Sequence, residues 1–118
     1  MTRISQNQER LTSVDLQILL TLANGPLHGY GIKLDVAERT GGEMKLGSGT
    51  LYEAIQRLEQ RAFIALAPPP AGEEADPRRR YYQLEPAGER ALRAELERMA
   101  TVVRHGQAMH LLPSREKV

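Results

Sequence analysis

The sequence predicts a mainly α domain with a small β-hairpin, and three observations lead there. Apolar residues recur three and four apart in successive stretches between residues 12 and 60. Two short strand-like runs then flank a segment rich in Pro, Gly and acid, "APPPAGEEADP". Aromatic content is only 4%, Trp is absent and 26% of residues are charged, a balance that fits a helix-rich domain better than an aromatic-dense β-sandwich.

The elements follow in order. Residues 1–10, "MTRISQNQER", read as a polar arm. In "LTSVDLQILLTLANGPLHGY" either Thr12 or Ser13 can cap a first helix, and Val14, Ile18 and Leu22 stand four apart on one face before Gly25-Pro26 ends it. A second helix should start at His28 or Tyr30 and run to Arg39, burying Ile32, either Leu34 or Val36, and Ala37; Thr40-Gly41-Gly42 closes it with residues that tolerate positive φ. A third begins at "GSGT", with Ser48 as the expected N-cap and Leu51, Ile55 and Leu58 on the inner side. At 100° per residue, Gly49, Glu53, Gln56 and Gln60 then point outward, with Tyr52 and Arg57 on the flanks.

Residues 63–67 and 79–84 read as the hairpin strands, and alternation along "RRYYQL" sends Tyr81 and Tyr82 to opposite faces. Pro86 suits the first position of a last helix, where its missing N–H is no loss. Leu92, Leu96, Met99 and Val103 form one apolar stripe on that otherwise charged rod. The expected organisation is therefore an arm at 1–10, a helical domain with its hairpin at 11–85, a C-terminal helix at 86–112 and a loose tail at 113–118.

At 118 residues the chain can bury one modest core, too little for a multidomain enzyme. With Cys at 0, disulfides and thiolate metal sites are excluded. The longest apolar run, residues 16–23, is too short to span a bilayer, and the N-terminus lacks a signal-peptide core, so a cytoplasmic protein without membrane contact is expected. His105 and His110 stand five apart, about 140° from each other on a helix, and cannot share a metal as an i, i+4 pair could. His28 has no evident nucleophile partner, and no phosphate or dinucleotide fingerprint occurs. The expectation is a non-enzyme without metal or cofactor.

Three helices followed by a hairpin is the order of a winged helix-turn-helix, which lays its last helix in the DNA major groove and its hairpin along the neighbouring backbone. The net charge of +1 argues weakly for nucleic acid, yet Arg78, Arg79 and Arg80 stand together where such a wing would meet phosphate, while Glu73, Glu74 and Asp76 should keep its tip in solvent. Small residues at 47–50 would let a phosphodiester backbone reach the amides of the third helix, with Ser48, Gly49 and Thr50 at the contact. Gln56, Arg57 and Tyr52 carry groups that can pair with base edges. Tyr30 either reaches a phosphate or is a core tyrosine with its hydroxyl at the surface, and Lys45 is either solvated or on the backbone. The last helix projects beyond its own domain, so its stripe of Leu92, Leu96, Met99 and Val103 is expected to pair with a second copy.

"HGYGI" at 28–32, "GSGTLYEAIQRLEQRAFI" at 47–64 and "RRRYYQLEPAGERAL" at 78–92 resemble the successive signature segments of the PadR family of bacterial transcriptional regulators, in its short form with a single C-terminal helix. The resemblance implies a homodimeric winged-helix repressor of a roughly palindromic double-stranded operator, in some members released by a small, often aromatic or cationic ligand; a further option is a hydrophobic effector admitted between the wing domain and the last helix. Ala62 stands where the family commonly has Gly, Gly31 where Glu is frequent, and Glu85-Pro86 where Thr commonly caps the last helix; the Gln83 or Glu85 side chain is the expected replacement cap. The alternative function is a winged-helix adaptor for protein contact, without specific DNA readout.

Overall fold

The computed structural model describes residues 10–72 and 78–114. Its elements are α1 (Ser13–Leu22), β1 (Leu27–His28), α2 (Gly29–Arg39), α3 (Ser48–Gln60), β2 (Ile64–Ala67), β3 (Tyr81–Leu84) and α4 (Pro86–Ala108). The wing-tip carboxylates Glu73, Glu74 and Asp76, the arm up to residue 9 and the tail from residue 115 lie outside the described residues.

Helix α1 starts where the Thr12 hydroxyl accepts from the Asp15 amide at 3.0 Å, the first of the two expected caps. Its Leu16, Ile18, Leu19 and Leu22 form the centre of the core with Ile32 and Val36 of α2 and Leu51, Ala54, Ile55 and Leu58 of α3. Val36 is the buried residue of α2 and Leu34 is exposed, which resolves the choice that periodicity left open. Arg39 ties α2 to α1 by donating to the Gln17 carbonyl, the Gln17 side chain, the Thr21 hydroxyl and Asp35 at 2.6 to 2.8 Å. Arg39 and then Thr21, both bonded to the carboxylate, hold Asp35 below the ordinary aspartate range.

The sheet has three strands rather than the two of a hairpin. The order is β1-β3-β2, antiparallel throughout, with Leu27 opposite Tyr82 and Leu66 opposite the same Tyr82 on the other edge. Two residues are too few for a periodic signal, so β1 escapes a reading by alternation. Its presence explains why both tyrosines are buried: Tyr82 enters the common core, whereas Tyr81, on the opposite face, meets the His28 ring edge-on at 5.3 Å. Burial pushes the Tyr82 phenol above its ordinary value.

Helix α3 leaves through a left-handed residue. Arg61 is the C-cap, the Ala62 amide donates to the Glu59 carbonyl at 2.9 Å and the Phe63 amide to the Leu58 carbonyl at 3.0 Å, with Ala62 at φ 61°. This is a Schellman turn. Ala62 thus adopts the backbone that glycine would, and the turn into the wing keeps the left-handed form despite the methyl group. The same motif ends α2, where glycine occupies the left-handed site as Gly41 at φ 63°.

Helix α4 lies flush on the wing: a Cβ at Gly88 would collide with the backbone carbonyl of Phe63, so only glycine permits this approach. Pro86 is in the first turn as expected, but Glu85 is the N-cap without a side-chain cap bond. The Gln83 amide donates to the Glu85 carboxylate at 2.9 Å, so the two candidate capping groups satisfy each other. The helix stops at Ala108, not residue 112. His110 takes φ 64° and the Leu111 amide turns back to the Gly106 carbonyl at 2.9 Å.

Candidate nucleic-acid interface

The core fixes which side of α3 is presented. Leu51, Ala54, Ile55 and Leu58 are buried, and Ser48, Gly49, Thr50, Tyr52, Glu53, Gln56, Arg57 and Gln60 are exposed, as the helical spacing requires. The N-cap is Gly47 rather than Ser48, and no side chain caps the helix. Ser48 is instead the first helical residue, among the early amides that the helix leaves unpaired at its start. An added Cβ at Gly47 or Gly49 would meet nothing within 4 Å, so the domain's own packing does not demand glycine at either position.

Tyr52 is 47% exposed, yet its phenol is seated against the start of α2. A Cβ at Gly29 would lie 2.5 Å from the Tyr52 hydroxyl oxygen and 3.0 Å from Cζ. Gly29 is thus the floor on which Tyr52 rests, a role that the sequence alone did not suggest. Gly31 serves the same helix entrance differently, since a Cβ there would come within 2.8 Å of Leu27. His28 caps α2 by accepting from the Gly31 amide through Nδ1 at 3.0 Å. Tyr30 points outward and is exposed, so it is not a core tyrosine.

Arg78, Arg79 and Arg80 are all exposed at the entrance to β3. Arg79 Nη1 stands 3.3 Å from His28 Nε2, which places the wing arginines beside the amino end of α2. Lys45 is exposed ahead of α3. Between it and the helix Leu46 turns inward and joins the core, a buried residue absent from the periodicity reading.

Arg57 differs from its neighbours. Its Nη2 donates to Oδ1 of buried Asp15 at 2.7 Å, a partner 42 positions away that no local pattern could reveal. Arg57 therefore faces both solvent and scaffold.

The C-terminal stripe divides in two. Leu92 is 4% exposed and belongs to the domain's own core beside Ala91, which leaves it little surface for a partner. Leu96, Met99 and Val103 remain 39%, 45% and 43% exposed. The boundary is marked by buried Glu95, which accepts from Arg98 at 2.8 Å and from Arg10 at 3.2 Å and 3.4 Å. The Arg98 bond, followed by those of Arg10, holds its carboxyl below the ordinary glutamate range against the opposing effect of burial.

No helix among the described residues is long and apolar enough to cross a membrane, and no group of three His, Cys, Asp or Glu among them could hold a metal ion. A trihelical core, an uncapped third helix with an open polar face and an adjoining arginine-edged wing define a winged-helix protein.

Known proteins agree with this class. The model of the transcriptional regulator PadR-like family matches residues 18–94, and the chain belongs to that family. An uncharacterised 37.1 kDa protein in transposon TN4556 of Streptomyces fradiae is 36% identical over 91 residues; the match takes in 77% of this chain but only 24% of that protein's length. The crystal structure of a PadR family transcription regulator from Clostridium difficile is similar at a TM-score of 0.70 and 26% identity, over 83% of this chain and 98% of that one. Bacillus subtilis PadR, solved in complex with operator DNA, shares the fold at a TM-score of 0.60 and 24% identity, over 72% of this chain and 47% of that one.

Proposed function

We propose that the chain is a sequence-specific, DNA-binding transcriptional regulator that acts as a dimeric repressor. The observation that carries the reading is the exposed face of α3, where Tyr52, Gln56 and Gln60 stand above an uncapped helix end whose glycines are not required by internal packing. A helix end of this kind offers amides and partial positive charge to a phosphate, and amides and phenols can pair with base edges in the major groove. Ser48, Gly49 and Thr50 would meet the backbone, with Lys45 and Tyr30 flanking, while Arg78, Arg79 and Arg80 follow the neighbouring strand. The Bacillus subtilis relative crystallised on its operator supports this use of the fold.

Pairing through Leu96, Met99 and Val103 joins two copies, and twofold symmetry sets the two α3 helices about 34 Å apart on a palindromic operator. Release by a small-molecule effector belongs to the same proposal, although the open cleft beside Leu22, Pro26, Gln83, Leu84 and Glu89 is lined more by polar than by apolar surface and does not favour a hydrophobic one.

The test is selection of bound duplexes from a randomised pool, followed by affinity measurements across a salt series. A symmetric motif bound with steep salt dependence is expected. Tyr52→Ala and Arg79→Ala should each weaken binding at least tenfold with the dimer intact. Absence of any selected motif, or wild-type affinity in both variants, would remove the reading.

A further inference from the structure

Asp15 is buried at 1% exposure on the scaffold helix α1, and its amide is fixed by the Thr12 hydroxyl at 3.0 Å. One carboxylate oxygen, Oδ1, accepts from Arg57 of α3 at 2.7 Å; the other, Oδ2, is buried without a hydrogen-bond partner among the described residues, and Arg61 Nη1 stands 4.0 Å from it. Arg61 is itself held, donating to the Arg10 carbonyl at 3.1 Å with its guanidinium 4.4 Å above the Phe63 ring. Arg57 is thus the direct donor to a carboxylate that is already short of donors.

That arrangement bears on how α3 reads DNA. Tied through Nη2 to the scaffold, the Arg57 guanidinium is aimed at α1, and a base contact that drew it away would leave a buried charge with neither oxygen bonded, the least favourable state for such a pair. Left in place, the bond joins α1 to one side of α3 and resists rotation of α3 about its axis. Tyr52 and Gln56 lie on that same helix, five and one positions before Arg57, so their aim follows its rotation.

Resting on the DNA-binding reading above, we propose that Asp15 and Arg57 are a positioning pair that sets the rotation of the recognition helix, and that Arg57 reads no base. Base discrimination then falls to Tyr52, Gln56 and their outward neighbours.

The experiment uses the full chain and a duplex selected by the wild-type protein from a randomised pool, together with a panel in which each base pair of that duplex is replaced in turn. Asp15→Asn, Arg57→Met and the double variant are titrated against every duplex and across a salt series. The expected result is a loss of about tenfold in each single variant and no further loss in the double. The two single variants should also share one profile of base preference, with every position weakened together.

The salt slope of Arg57→Met should equal that of the wild type; a decrease near 0.9, the value for one lost phosphate contact, would overturn the proposal. So would relaxation of a single base pair in each half-site by Arg57→Met while Asp15→Asn keeps the wild-type profile, or wild-type affinity in Arg57→Met. Should Asp15→Asn fail to fold, Arg57→Met carries the decision alone, because its base profile and salt slope separate the roles. Failure of the wild type to select any motif would overturn the DNA-binding reading itself, and this proposal with it.

Discussion

Replacing Ala62 by glycine should make the protein more stable. Ala62 has φ 61°, where its methyl group crowds the backbone, and an L-residue there is disfavoured by about 1 to 2 kcal/mol relative to glycine. The methyl group is exposed, so its removal opens no cavity and forfeits little apolar burial. Against this gain stands the greater freedom of glycine in the unfolded chain, about 0.4 to 1 kcal/mol. The balance lies between about 0 and 1.6 kcal/mol, centred at about 0.8 kcal/mol in favour of Ala62→Gly, which is roughly 3 °C in Tm for a domain of this size. Thermal unfolding followed by circular dichroism at fixed protein concentration would measure it, the concentration being held because the proposed pairing of copies would also shift Tm. Gly41→Ala is the mirror experiment, since Gly41 holds the same place after α2 at φ 63° and the alanine should be destabilising there. If Ala62→Gly left Tm unchanged or lowered it while Gly41→Ala behaved as expected, the strain attributed to the α3 exit would be refuted.

Three further outcomes are expected. Gly29→Ala puts a methyl group where the Tyr52 phenol rests, 2.5 Å from its oxygen, so the ring must swing; DNA affinity should fall about tenfold with little change in Tm, and unaltered affinity would disprove the seat. Leu96→Asp sets a charge in the exposed stripe of α4 and should yield monomers in sedimentation without loss of fold; a persistent dimer would remove this helix from the interface. Glu95 has a lowered folded pKa, so its contribution is fully present above the unfolded glutamate value of about 4.3 and is lost as pH falls through the folded value. Glu95→Gln should therefore reduce stability by about 1 kcal/mol at pH 7, because both arginine partners are half exposed, and the difference from wild type should vanish on acidification. A difference independent of pH would show that the arginine bonds are not its source.

The inner and outer faces of α3 were legible in the sequence because helical periodicity is local: each turn repeats within four residues, and Leu51, Ile55 and Leu58 needed no distant partner to declare their side. The wing was legible for a related reason, as Pro, Gly and the arginine run punctuate two short strands. Strand β1 was not, since two residues acquire strand identity only by pairing with Tyr81 and Tyr82, more than fifty positions later. Ser48 is not the cap, because hydroxyl preference at N-caps is statistical, and here Gly47 takes the extended backbone first, at ψ 162°.

The sequence by itself determined the periodic parts of this protein: three amphipathic helices, a punctuated wing and a long last helix, each written in neighbouring residues. Tertiary structure alone decided where those parts touch. Leu92 and Leu96 are one turn apart on the same stripe, yet the first is sealed in the core and the second exposed, because the body of the domain ends between them. Arg57 and Arg61, likewise one turn apart, divide between direct bonding to Asp15 and a 4.0 Å approach to it. The reason is physical: spacing fixes direction around a helix axis, but a partner forty residues away is fixed only when the chain folds back and buries both groups together.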